Sequence, residues 1–121
     1  NEETKEYIKY YKEIKFWSLP KVLIVVLKRF MNNGNKITKK IDFPLKNLDL
    51  CKYCVGYRKK SNVYDLVGVS NHVGSLQGGH YFAYCRMEDG NWYNFNDTSV
   101  SRISENEVVS EKAYCLFYMK K

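Results

Sequence analysis

The chain has 121 residues, 45% of them hydrophobic and 16% aromatic, with 11 Tyr, 7 Gly and 2 Pro. This length suits one domain with a core, and so little Gly and Pro excludes a repetitive or disordered chain. The net charge of +7 is uneven, with 15 basic and 6 acidic side chains in residues 1–60 against 5 and 7 in residues 61–121.

The lysines are scattered singly, without an arginine cluster or a nucleic-acid motif, which favours a solvated basic surface over a nucleic-acid footprint. In residues 1–15, Tyr7, Tyr10, Tyr11 and Ile14 suit either a helical stripe or an aromatic strand, and the pattern leaves both open. Leu19-Pro20 breaks it, and Val22-Leu23-Ile24-Val25-Val26-Leu27 predicts a strand covered on both faces. An Asn/Gly turn over residues 31–35 leads to an expected lysine-rich strand through Ile37, Ile41 and Phe43, and the polar residues 52–62 to an exposed loop.

From Tyr64 the β signal is continuous. Tyr64, Leu66, Val67 and Val69 predict a strand ending near His72, a glycine-rich loop occupies residues 74–79, and a strand follows over residues 81–87. Asp89-Gly90 predicts a hairpin turn with left-handed dihedrals at both residues, and the return strand covers residues 92–95. Ser104-Glu105-Asn106-Glu107 matches a capping box for a short helix, and residues 113–118 give a last strand. The expected fold class is therefore α+β, mostly antiparallel β.

Four cysteines, Cys51, Cys54, Cys85 and Cys115, do not make a disulfide scaffold in a chain with this much core. Cys85 and Cys115 lie in apolar strands and read as buried thiols. No signal peptide is visible and residues 22–27 are too short a run to span a bilayer, so a reducing cytoplasmic or nuclear setting is expected, with no membrane partner.

The chemistry concentrates in Gly78-Gly79-His80-Tyr81 and Trp92-Tyr93-Asn94-Phe95-Asn96-Asp97. Antiparallel pairing across the Asp89-Gly90 turn brings His80 near Asn96 or Asp97. A neutral imidazole acting as a base must offer one nitrogen to a nucleophile while an oxygen acceptor holds the other as N–H. The amide of Asn96 or the carboxylate of Asp97 can supply that oxygen, and the pair also suits a turn after the strand. Gly78 and Gly79 leave room for a substrate backbone to approach.

These segments, with Trp17-Ser18-Leu19-Pro20-Lys21-Val22-Leu23-Ile24-Val25-Val26-Leu27-Lys28-Arg29-Phe30, resemble the motifs of the ubiquitin-specific proteases. Ile41-Asp42-Phe43-Pro44-Leu45, Tyr64-Asp65-Leu66, Asn71-His72-Val73-Gly74 and Ala113-Tyr114-Cys115-Leu116-Phe117-Tyr118 fit in the family's order. The resemblance implies a papain-like cysteine isopeptidase, a deubiquitinase that cleaves after the C-terminal glycine of ubiquitin. It makes His80 the general base, Asn96 the third member of the triad and Asp97 part of the site. It also makes Tyr81 a contact for the extended ubiquitin tail, with residues 31–39 and 74–79 as loops beside the tail's entrance. His72, before the glycine loop, reads as a loop or substrate-lining residue and not as the base.

The family's nucleophile box, an Asn and then a Cys opening a helix, has no counterpart here. None of the four cysteines is expected at a helix start, where the dipole favours thiolate. Residues 1–121 are thus expected to be the C-terminal portion of a longer catalytic domain, inactive alone and partnered by an N-terminal half that carries the cysteine. The resemblance also suggests a zinc knuckle built from two CxxC pairs. Cys51-Lys52-Tyr53-Cys54, however, is a lone CxxC downstream of where that knuckle would sit, and the pair nearest the expected position falls on Asn1 and Thr4. These offer no thiolate, so neither zinc nor any other cofactor is expected. The rival reading is a non-catalytic ubiquitin-binding module or pseudoprotease. On either reading the partners are ubiquitin and ubiquitinated proteins.

Overall fold

The computed structural model describes residues 15–55 and 62–121. The stripe of Tyr7, Tyr10, Tyr11 and Ile14 lies outside them. Strands dominate: β1 Val22–Val26, β2 Leu48–Asp49, β3 Val63–Val73, β4 His80–Arg86, β5 Trp92–Asn96, β6 Ser99–Ile103 and β7 Ala113–Lys120. They form one seven-stranded sheet in the order β1-β7-β3-β4-β5-β6, with β2 beside the start of β3. Every strand pair is antiparallel. The helical content among the described residues is two single 3-10 turns, Cys51–Tyr53 and Glu105–Glu107. None is long and apolar enough to cross a membrane.

Alternation along the strands builds the core. Leu66 faces Tyr118 and Val69 faces Leu116 across β3 and β7, while Val69 also faces Tyr84 of β4. These residues pack with Leu19, Tyr64, Trp92, Val108 and Ala113. Burying each large side chain contributes roughly 1.5–3 kcal/mol. Two register shifts interrupt the β3–β7 ladder, between Leu66 and Gly68 and between Ser70 and Asn71. Because one inserted residue reverses which side chains face inward, the buried positions of β3 pass from Tyr64 and Leu66 to Val69 and Asn71.

The structure corrects several expectations. β1 is not covered on both faces: among the described residues it pairs only with β7, at the sheet's edge, and Val22, Ile24 and Val26 remain about half exposed while Leu23 and Val25 pack inward. Ile37, Ile41 and Phe43 are not in a strand. The turn before them closes on a single bridge between Phe30 and Lys36, after which the carbonyls of Ile37 and Lys39 are taken by the Arg29 guanidinium (3.0 and 2.7 Å) instead of a ladder. At the hairpin, Gly90 alone is left-handed (φ 82°); its N–H reaches the Met87 carbonyl at 2.9 Å, and Asp89 keeps a negative φ.

Of the exposed polar loop expected over residues 52–62, residues 52–55 and 62 are described. It opens in the 3-10 turn, and Asn62 at its end is buried, its carbonyl accepting from Leu50 N–H at 2.9 Å. The capping Ser104 hydroxyl accepts from Asn106 N–H, one residue earlier than in a capping box, because the helix is a single 3-10 turn. β6, Ser99–Ile103, is a strand beyond those predicted. Its signal was the alternation Ser99-Val100-Ser101-Arg102-Ile103, which follows a two-residue connection, Asp97-Thr98, closed by the Asn96–Ser99 pair.

Candidate active site

His80 opens β4 and Asn96 closes β5, so the hairpin register decides their proximity. Ala83 pairs with Phe95, which carries the next rung toward the open end of the hairpin, where His80 and Asn96 lie. The His80 Nε2 and Asn96 Oδ1 atoms are 2.7 Å apart. An amide oxygen only accepts, so Nε2 carries the hydrogen, and in the neutral ring Nδ1 is then the nitrogen with the lone pair. The His80 ring stacks on Phe82 at 6.2 Å between centroids and 20° between planes. The His80 side chain is exposed, leaving the free nitrogen open to an approaching group.

Asp97 takes a different part. It sits in the left-handed region (φ 52°) as the first residue of the Asp97-Thr98 connection. Both readings of the Asn-Asp pair therefore hold, one for each residue: Asn96 bonds the ring and Asp97 makes the turn.

His72 is not a loop residue open to a ligand. It lies in β3, 2% exposed, directly opposite Tyr81. Its ring is enclosed by Phe30, Tyr81 and Tyr114, with centroids 5.7, 4.7 and 6.0 Å away. Lys36 Nζ stands 2.9 Å from His72 Nδ1 and donates to the His72 carbonyl at 3.0 Å. An ammonium has no lone pair, so Nδ1 accepts and the ring's hydrogen lies on Nε2. Burial first, and then the Lys36 charge, hold the His72 imidazole below its ordinary pKa. Burial and the nearby Arg29 likewise lower Lys36.

The glycines divide their roles. A Cβ on Gly79 would lie 1.8 Å from His72 Nε2, so this residue is small to accommodate the histidine behind it as well as anything in front. A Cβ on Gly78 would meet only Ser75 Oγ at 4.0 Å, so the space beside Gly78 is open. Gly74 has φ +98°, and a Cβ there would fall 2.9 Å from the Gly78 carbonyl, which shows the loop folded back on itself. Tyr81 is 56% exposed and presents its ring beside His72.

Sequence reasoning missed Arg29, Lys36 and Asn71 as parts of this region. Arg29 is 1% exposed; its Nε donates to the Ala113 carbonyl at 2.5 Å, tying the chain after β1 to β7. Asn71 is fully buried opposite Phe82, and neither atom of its amide finds a partner among the described residues. Its place beside His72 in a motif segment was the available signal.

The cysteines stand elsewhere. Cys85 pairs with Tyr93 and Gly68, and Cys115 with Ser70 and Val26, and burial raises both thiols above their usual pKa, which disfavours thiolate. Cys51 and Cys54 adjoin β2, which pairs with Val63 and Tyr64 at the opposite end of β3 from the Val73–His80 pair. At about 3.3 Å per residue that is roughly 30 Å away. Among the described residues, no three His, Cys, Asp or Glu side chains converge to hold a metal ion.

Comparison with known proteins shows the family to which the chain belongs. The family profile described as "Ubiquitin carboxyl-terminal hydrolase" matches residues 2–118. Ubiquitin carboxyl-terminal hydrolase 15 of Homo sapiens is 42% identical over 120 residues, covering 96% of this chain and 12% of that protein. Ubiquitin carboxyl-terminal hydrolase 9 of Arabidopsis thaliana is also 42% identical, with 96% and 13% covered. Among solved structures, a chain of the SAGA DUB module bound to monoubiquitin superposes with a TM-score of 0.75 at 41% identity, covering 85% of this chain and 24% of that one. The chain thus spans about an eighth of the length of these curated relatives.

Proposed function

Because the chain belongs to the ubiquitin carboxyl-terminal hydrolase family, we propose that it supplies the general-base side of a thiol-dependent deubiquitinase, with the cysteine contributed by a segment outside these residues. The observation that carries this reading is the 2.7 Å contact between His80 Nε2 and Asn96 Oδ1, which leaves Nδ1 as the acceptor.

In this scheme a cysteine thiol gives its proton to His80 Nδ1, and the thiolate attacks the carbonyl of ubiquitin's terminal glycine. The resulting imidazolium then returns a proton to the departing lysine amine, and water releases the acyl group. Asn96 keeps hold of Nε2–H throughout, fixing the ring's direction in both protonation states. Asp97, the left-handed first residue of the Asp97-Thr98 connection, holds the strand end that carries Asn96. Gly78 and Tyr81 border the approach of the extended tail, and Gly79 shapes it from behind. The cysteines of this chain lie in ladder positions or at the far end of β3, so residues 1–121 alone carry out no hydrolysis.

Reaction of the full-length protein with ubiquitin bearing a C-terminal electrophile tests the proposal. A covalent adduct that is lost on His80→Ala supports it. Binding of ubiquitin without any adduct would overturn it in favour of a non-catalytic module.

A further inference from the structure

Lys36 and His72 contribute no group to the reaction described above, yet the one is bonded to the other and the other lies against the residue before His80. We infer that Lys36 and His72 form a positioning unit that fixes the backbone at Gly79 and thereby the location of His80, an inference that rests on His80 serving as the base.

The argument starts from the ammonium. Lys36 Nζ reaches two atoms of the same residue, His72 Nδ1 at 2.9 Å and the His72 carbonyl at 3.0 Å. One group bonding both ring and backbone fixes the side-chain torsions of His72. It also fixes the tautomer, because Nδ1 must accept. The Nε2 edge then points at Gly79, so closely that the position tolerates only hydrogen in place of a side chain. Opposite pairing places Tyr81 across from His72 and His80 across from Val73, so the ring lies beneath the strand at the point where the base emerges.

The surroundings keep this ring neutral. The charged groups near it are Lys36 and, behind Lys36, Arg29; Phe30, Tyr81 and Tyr114 complete the enclosure. Protonation of Nδ1 would set a second cation 2.9 Å from the ammonium and abolish the hydrogen bond. His72 is thus a rigid neutral support, while His80 stands exposed on the solvent side.

The full-length protein with ¹⁵N-labelled histidine provides the test. Side-chain spectra at neutral pH are expected to show His72 as the neutral Nε2–H tautomer, as its contact with Lys36 requires. In Lys36→Met the tautomer signature becomes mixed or protonated, and kcat toward a ubiquitin substrate falls between about 10- and 100-fold with little change in KM, the scale of a small misplacement of a catalytic group. Lys36→Arg restores part of both. Wild-type His72 protonated on Nδ1, or Lys36→Met with unaltered spectrum and kcat, would overturn the inference. The tautomer needs no variant and no turnover to be read. An inactive wild type with His72 as Nε2–H counts against the deubiquitinase reading and not against the Lys36–His72 support of Gly79.

Discussion

Gly79 and His72 are in such close contact that the hydrogen on the Gly79 Cα occupies the only space left beside the imidazole: a Cβ would fall 1.8 Å from Nε2 and 2.6 Å from Cε1. Neither neighbour yields easily, since the ring is enclosed by three aromatic side chains and bonded by Lys36.

Gly79→Ala is therefore expected to destabilise the fold by about 1–3 kcal/mol, the usual cost of forcing a methyl group into packed surroundings, and to displace His80. Gly78→Ala, with open space beside it, should stay within about 0.5 kcal/mol of the parent. Denaturant midpoints of the two full-length variants check the contrast. Equal stability would show that the His72 ring moves aside at no cost.

Asn96→Ala removes the oxygen that orients His80 while leaving a hairpin still fixed by its ladder. The rate of adduct formation with an electrophilic ubiquitin should fall about 10²-fold, within the range contributed by a positioned base. Asn96→Asp, which keeps an acceptor, should retain most of the rate. Asp97→Ala should lose less than Asn96→Ala, because the ring's hydrogen bond is made by Asn96. The reverse ranking would reassign the orienting role.

Tyr118 is buried, its hydroxyl donates to the Pro44 carbonyl at 2.8 Å, and burial pushes its pKa up to about 12. The unfolded value is about 10. Since the folded pKa is the higher one, the contribution to stability is complete below about pH 10 and is lost as pH rises through about 12. A shift of that size corresponds to a loss on the order of 2–3 kcal/mol across the window. Tyr118→Phe should flatten this part of the alkaline unfolding curve, leaving the smaller contributions of Tyr64 and Tyr84, which burial also raises. At pH 7 it should cost about 1–2 kcal/mol for the unpaired Pro44 carbonyl. Urea titrations at graded pH values measure both effects.

Arg29 serves three carbonyls, those of Ala113, Ile37 and Lys39, from a buried position. Arg29→Met should lower stability by at least about 2 kcal/mol, because each abandoned carbonyl loses its donor. Arg29→Lys should recover only part, since an ammonium cannot span the guanidinium fork. Thermal melts of the full-length variants decide it. A methionine variant as stable as the parent would mean that water replaces all three bonds.

The local chemistry of the residues determined much. Period-two alternation and β-branched runs marked the strands over residues 64–69, 81–87 and 113–118, and Gly90 marked the hairpin that brings His80 toward Asn96. Such signals are short-range: each depends on a side chain's preference or on pairing across a turn of a few residues. They could not choose between Asn96 and Asp97, adjacent residues that both offer an oxygen acceptor, until the Asn96–Ser99 rung drew Asn96 into the ladder and left Asp97 in the turn.

Longer-range pairing decided the remainder. Val22, Ile24 and Val26 look like core residues in sequence, but only the sheet order puts them on an edge strand with one row outward. Residues 37–43 carry strand-like side chains, yet the Arg29 guanidinium captures the Ile37 and Lys39 carbonyls there. His72 and His80 are each one histidine near a glycine until tertiary packing buries the first under Tyr81, Phe30 and Tyr114 and leaves the second exposed. A residue's chemical type is written in the chain, whereas its solvent exposure and the partners of its polar atoms exist only once distant segments meet, and those two quantities separate the exposed, Asn96-bonded imidazole from the buried, Lys36-bonded one.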